Sequence, residues 1–234
     1  MYKIGTAELI QLGDLFLTII KNDTSEEAYQ WLIAKAKLVR SEEKSTQLNL
    51  TFSQLPRKTG KAVIDRTATI EAANTLFPGF SIDGWNIDRL ARVWLLMQIS
   101  PADKASYLQK INGLLTGSEM QEQVALYSAL PFYAYPEEWI PFCENGIRSN
   151  IGIAQEAIMY DNPYPAAYLS ENAFNQLVLK TFFTEKDVTR IVGLEQRMNQ
   201  PLADTLADYV DERTAAHRTV EPNIYKLIEL RNQI

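Results

Sequence analysis

Residues 24–39 read Thr24-Ser25-Glu26-Glu27-Ala28-Tyr29-Gln30-Trp31-Leu32-Ile33-Ala34-Lys35-Ala36-Lys37-Leu38-Val39. The opening Thr24-Ser25-Glu26-Glu27 is a helix start. A hydroxyl can accept from a free backbone N–H, and a carboxylate three residues on can reach back to the cap. Ala28, Trp31 and Leu32 then recur at helical spacing, and the helix extends toward Val39. The same grammar recurs along the chain. Ser100-Pro101-Ala102-Asp103 offers a cap, a proline at the first helical position and an acid in the first turn. Ser118-Glu119-Met120-Gln121 is a second box, and Thr184-Glu185-Lys186-Asp187 resembles a third, with its helix stopping at Gly193. Asn199 before Pro201 and Glu221 before Pro222 mark two further starts.

Between these signals the apolar spacing is helical. Leu90, Val93, Trp94 and Met97 keep the three-and-four rhythm, as do Phe174, Leu177, Val178 and Thr181. Only Gln47-Leu48-Asn49-Leu50-Thr51-Phe52 alternates like a strand. With no partner strand it reads as an extended connector or part of a helix. The class is therefore all-α, with roughly nine to eleven helices of ordinary length. Short antiparallel helices suit either an irregular helical-repeat-like superhelix or a multi-helix bundle. The chain, residues 1–234, reads as one helical domain with sub-halves 1–117 and 118–234.

The 234 residues include one histidine, His217, and one cysteine, Cys143. A structural zinc site needs three or four Cys/His ligands, so none can form within one chain, and no metal site is expected. Disulfide staples are equally unavailable, and Cys143 reads as a small buried residue. With 46% hydrophobic and 22% charged residues the composition is that of a globular protein. The net charge of -6 argues against nucleic acid as a partner, since phosphate backbones attract the opposite sign. No segment approaches the ~20 apolar residues that span a bilayer, so an integral membrane protein is not expected. The apolar stretch Leu15–Ile20 lacks a basic leader and a cleavage site, so cytoplasm is the expected compartment.

Several constellations have a functional and a structural reading. Pro56-Arg57-Lys58-Thr59-Gly60-Lys61 lacks the earlier glycine and the final hydroxyl of a phosphate loop, and no cofactor is called for. Arg57, Lys58 and Lys61 could still hold an anion, or form a solvated loop. Half of all Phe, Trp and Tyr residues fall between Tyr127 and Phe183, with Phe132, Tyr133, Tyr135, Trp139 and Phe142 crowded among prolines. They either line a pocket for a flat apolar ligand or form the densest core. Arg148, Asn150, Glu156, Asn162, Asn175, Gln176 and Lys180 punctuate core-like helices, as a bracing network or a ligand site. Asp161-Asn162-Pro163-Tyr164-Pro165 reads as a rigid, non-helical connection in which Asn162 bonds back to the chain. Asp204, Asp208, Asp211 and Glu212 form an acidic stripe that reads as a solvated face.

Read together, several of these motifs resemble one family. They are Pro136-Glu137-Glu138-Trp139, Arg148-Ser149-Asn150, Glu156-Ala157-Ile158, Asn162-Pro163-Tyr164-Pro165 and Asn175-Gln176-Leu177-Val178-Leu179-Lys180. Arg190, Gly193-Leu194, Arg197, Glu212-Arg213, Arg218-Thr219-Val220 and Pro222 continue the pattern. Earlier, Pro56-Arg57 with Gly60-Lys61, Pro78-Gly79, Trp85 and Ala91-Arg92-Val93 fit it too. The chain resembles the EboA-domain family. That resemblance implies membership of bacterial gene clusters for secondary-metabolite traffic, whose neighbours include a membrane prenyltransferase of the UbiA type. It implies no catalytic residue. The expected function is a non-catalytic accessory protein that binds a small apolar or prenylated molecule, a partner protein of the same cluster, or both. An enzyme modifying such a metabolite and a purely structural scaffold are the alternatives. Candidate ligand or interaction residues are Arg148, Asn150, Glu156, Asn162, Tyr164, Asn175, Gln176, Lys180, Arg190, Glu212, Arg213 and Arg218, beside the basic set Arg57, Lys58 and Lys61. His217 stands at a helix end where the similar family stretch commonly has glycine, which suits a left-handed terminus better than a catalytic base.

Overall fold

The computed structural model describes residues 2–41 and 44–229, which form thirteen α-helices and no strand. The first six are α1 (Thr6–Asp23), α2 (Glu26–Ser41), α3 (Thr46–Thr59), α4 (Thr67–Leu76), α5 (Ile87–Leu96) and α6 (Lys104–Thr116). Then come α7 (Met120–Ser128), α8 (Ile140–Arg148), α9 (Gly152–Met159), α10 (Pro163–Tyr168) and α11 (Glu171–Phe183). The last are α12 (Gln200–Ala215) and α13 (Asn223–Glu229). Helices α3, α5, α7 and α9 each pack on the next, forming an inner row. Helix α1 lies against α5, α2 against α3, and α8 against α9. One continuous cluster of buried side chains runs from Leu12 to Leu227.

The start signals work, though often a residue or more away from where the pattern puts them. Ser25 Oγ, not Thr24, accepts the Ala28 N–H at 3.2 Å, while Thr24 Oγ1 donates back to the Ile20 carbonyl at the end of α1. Asp103 is the cap of α6, so Pro101 lies outside the helix. Glu119 precedes α7, and its N–H donates to the Glu122 carboxylate at 3.1 Å. Asn199 caps α12 through the Leu202 N–H at 2.9 Å, as the sequence implies.

The thirteen α-helices of the described residues exceed the nine to eleven expected, and three further expectations are corrected. Thr184–Asp187 opens no α-helix. Asp187 caps a short 3-10 turn, Val188–Arg190, and a second turn follows at Glu195–Arg197. Asn162-Pro163-Tyr164-Pro165 is not a non-helical connection. Both prolines occupy the first turn of α10, where their missing N–H groups leave no helical bond unmade. Arg57 and Lys58 lie in the last turn of α3 rather than in a loop, and only Lys61 falls beyond the left-handed Gly60. The alternating run 47–52 sits wholly within α3, where Leu48, Phe52 and Leu55 point into the core.

His217 adopts φ 54°, just past the end of α12. Its N–H donates to the Thr214 carbonyl at 3.0 Å, and the next N–H, of Arg218, donates to Arg213 at 2.8 Å. These two bonds close the helix with the paired pattern normally completed by glycine. A side chain bearing a Cβ is strained there. His217→Gly is expected to raise stability by about 0.5–1 kcal/mol in chemical denaturation.

Candidate functional site

Between α7 and α8 the chain makes two 3-10 turns, Leu130–Phe132 and Pro136–Trp139. Tyr135, between them, sits at φ 55°, an unusual conformation for a residue with a side chain. Hydrogen bonds hold this segment to the backbone around it. Tyr107 Oη accepts the Ala134 N–H at 3.1 Å, and Trp139 Nε1 donates to the Ala134 carbonyl at 2.9 Å. Tyr133 donates to Leu126 at 3.1 Å, Tyr135 to Pro101 at 2.7 Å and Tyr164 to Pro136 at 2.6 Å. With their polar tips engaged, these residues present mainly ring faces.

A cavity of about 400 Å³ opens beside this segment, lined by Tyr2, Ile4, Met97, Tyr107, Phe132, Tyr133, Tyr164 and Tyr168 among others. That volume is in the range of small-molecule sites, roughly 300–1,000 Å³. Burial pushes the Tyr107 hydroxyl up to about 12 and the Tyr133 hydroxyl well above its ordinary value, so both stay neutral. Among the described residues of this wall only Lys3 is charged, its ammonium 4.7 Å from the centre of the Tyr168 ring.

A second cavity of about 270 Å³ lies at the start of α5. An isolated bridge between Val63 and Asn86 fixes the entry to that helix, and Asn86 caps it through the Arg89 N–H at 2.8 Å. Its lining includes Asp83, Trp85, Arg89, Gln121, Glu156, Tyr160 and Arg190. Arg190 is held by Asp161, with Asp83 at 3.7 Å, and lies over the Tyr160 ring at 4.8 Å. Glu156 is held by Lys186. Burial lifts the Asp161 carboxyl above its ordinary value despite the pull of Arg190. Burial, and then the Arg190 charge, push the Arg89 guanidinium down to about 9, so it remains a cation at neutral pH.

The other sequence candidates are dispersed. Arg148 is exposed at the end of α8, with Asn145 at 2.8 Å and Glu144 at 3.6 Å, and Asn150 is exposed just beyond. Asn175 pairs with Asn199 through two amide hydrogen bonds of 2.9 and 3.0 Å. Gln176 and Lys180 lie along α11, the first exposed and the second half-buried. Glu212 and Arg218 are exposed near the end of α12, while Arg213 donates to the Thr219 carbonyl at 2.7 Å and reaches Glu185. Lys58 lies 5.9 Å from the Trp31 ring centre. The structure thus brings Glu156 and Arg190 together in one cavity and places Tyr164 on the other.

Sequence reading missed Arg89. Its signal was visible: α5 carries Asp88, Arg89 and Arg92 inside an otherwise apolar run, an expensive arrangement unless each charge has a task. Among the described residues no group of His, Cys, Asp and Glu side chains could hold a metal ion. No described helix is long and apolar enough to cross a membrane.

Compared with known proteins, residues 12–229 match a family model described as metabolite traffic protein EboA. No curated protein and no solved structure matches the chain.

Proposed function

The chain belongs to the EboA family, and from that premise we propose that it is a non-catalytic accessory protein of metabolite traffic that binds a small apolar or prenylated molecule. The observation that carries this reading is the aromatic cavity of about 400 Å³. The Tyr107, Tyr133 and Tyr164 hydroxyls are tied to backbone groups and Tyr2 to Gln196, which leaves mainly rings and aliphatic groups to meet a ligand. Such a surface favours apolar burial at about 25 cal/mol per Å² and offers only a few fixed polar contacts. Arg148, Asn175, Lys180 and Glu212, the residues an enzyme reading would use, are not among the residues lining it. Carriage in the cytoplasm, handing the molecule to or from cluster proteins such as a membrane prenyltransferase, fits this chemistry.

The test uses farnesol as the probe and tyrosine and tryptophan fluorescence of the full chain as the readout. Saturable binding is expected. Met97→Trp, at a half-buried position on the cavity wall, fills part of the space and is expected to weaken binding about tenfold or more, equivalent to ~1.4 kcal/mol. Failure of farnesol to bind, or equal affinity in a folded Met97→Trp protein, refutes the proposal.

A further inference from the structure

The cavity at the start of α5 holds one guanidinium that makes no ion pair among the described residues. Arg190 is matched by Asp161 and Asp83, and Glu156 by Lys186. Arg89 has no such partner. Its Nε donates to Ser128 Oγ at 2.8 Å, and its guanidinium carbon lies 4.1 Å from the centre of the Trp85 ring. The Ser128 hydroxyl donates in turn to the Val124 carbonyl, so the oxygen is held ready to accept from Arg89. The guanidinium is therefore fixed at one nitrogen and on one face. Its two Nη groups have no protein acceptor among the described residues.

A half-buried guanidinium with both Nη groups lacking a protein acceptor is better satisfied when an anion enters. The free edge of Arg89 presents two parallel N–H directions, the geometry that fits two oxygens of one carboxylate. Charge selects among oxyanions. A monoanion brings one negative charge into a cavity that already holds the Asp83 and Glu156 carboxylates, whereas a phosphate dianion brings two and meets about twice the repulsion. The remaining walls are Val124, Ile153 and the Tyr160 ring, suited to an apolar body, with the Gln121 amide beside them. We propose that this cavity is a binding site for a small monocarboxylate with an apolar or aromatic body, anchored end-on by Arg89. It stands apart from the aromatic cavity and does not depend on the reading given to that one.

The experiment titrates the full chain with benzoate and, separately, with inorganic phosphate, following the Arg89 Nε–H resonance and backbone amide shifts by NMR. Benzoate is expected to saturate and to shift the Arg89 signal and the amides around Asn86 and Gln121. Arg89→Gln is expected to weaken benzoate binding at least tenfold, while Met97→Trp, in the other cavity, leaves it unchanged. Should Arg89→Gln fail to fold, Gln121→Glu serves instead. That position is exposed at the start of α7, and the added carboxylate is expected to weaken benzoate several-fold. Phosphate binding more tightly than benzoate overturns the proposal, as do an unmoved Arg89 signal and full benzoate affinity in a folded Arg89→Gln or Gln121→Glu protein.

Discussion

Arg92→Leu is expected to destabilise the protein by about 3–5 kcal/mol at neutral pH, the cost of leaving a buried charge without its partner. Arg92 and Asp88 face each other one turn apart on α5, 3.1 Å between Nη1 and Oδ2, and both side chains are 3% exposed. The same guanidinium donates to the Phe52 carbonyl on α3 at 3.1 Å and lies 3.6 Å from Glu122 on α7. One side chain thus links three consecutive helices of the inner row. Even so, burial holds Asp88 above its ordinary 3.8, outweighing the attraction of Arg92 and Lys61. A carboxyl raised in the folded state costs stability while it is ionised. That cost fades as pH falls through the folded value toward the unfolded one. Deleting Arg92 raises Asp88 further and widens the window. The deficit of Arg92→Leu relative to wild type should therefore be largest near pH 7 and shrink toward pH 4, as read by urea denaturation across that range. A deficit independent of pH would show that Arg92 acts by packing alone. Asp88→Leu combined with Arg92→Leu should regain most of the loss, leaving about 1 kcal/mol for the Phe52 carbonyl.

The same helix shows which features can be read in advance. The rhythm of Leu90, Val93 and Trp94 identifies an apolar face, and all three are buried. Arg92 fits that rhythm poorly. Asp88 is a local partner, but nothing local reveals that the other two lie on α3 and α7, forty residues upstream and thirty downstream. Helix starts were legible because capping is local chemistry. They slipped where two residues in a row could cap, as at Thr24-Ser25 and Ser118-Glu119. The box at 184–187 failed for a tertiary reason. Glu185 takes φ 54° and Lys186 turns back to Glu156, so the chain leaves the helical path in favour of contacts with α9. The aromatic crowd was legible as either pocket or core, and the structure makes it both. Phe132 packs edge-on to Phe16 and Phe80 at 6.0 and 5.1 Å, and it also lines the cavity. Arg148, Asn175 and Lys180 share a sequence style but not a place. Spacing along a helix fixes a face, not the surface that the face meets.

Asn162→Asp is expected to cost about 3–4 kcal/mol at pH 7, more than Asn162→Ala at about 2. The amide is buried and uses both ends. Oδ1 accepts the Tyr164 N–H at 3.1 Å, which caps α10, a bond back to the chain that the sequence implies. Nδ2 donates to the Ala157 carbonyl at 2.8 Å and to the Tyr127 carbonyl at 3.1 Å, bridging α9 to α7. An aspartate keeps the acceptor, so the cap survives. The two donors, however, become a carboxylate oxygen facing two carbonyl oxygens in a buried site. Both bonds are lost and like partial charges are brought together. The new carboxyl should titrate above the usual aspartate range, because protonation restores one donor. A carboxyl so raised destabilises most when ionised, and stability should partly return as pH falls toward 4. Asn162→Ala has no titrating group and should show no such recovery relative to wild type. Tyr164 lines the aromatic cavity one turn from this bridge, so farnesol affinity should fall with the stability of Asn162→Asp and recover with it at lower pH. Recovery of the fold without recovery of binding would separate the α7–α9 bridge from the cavity it supports.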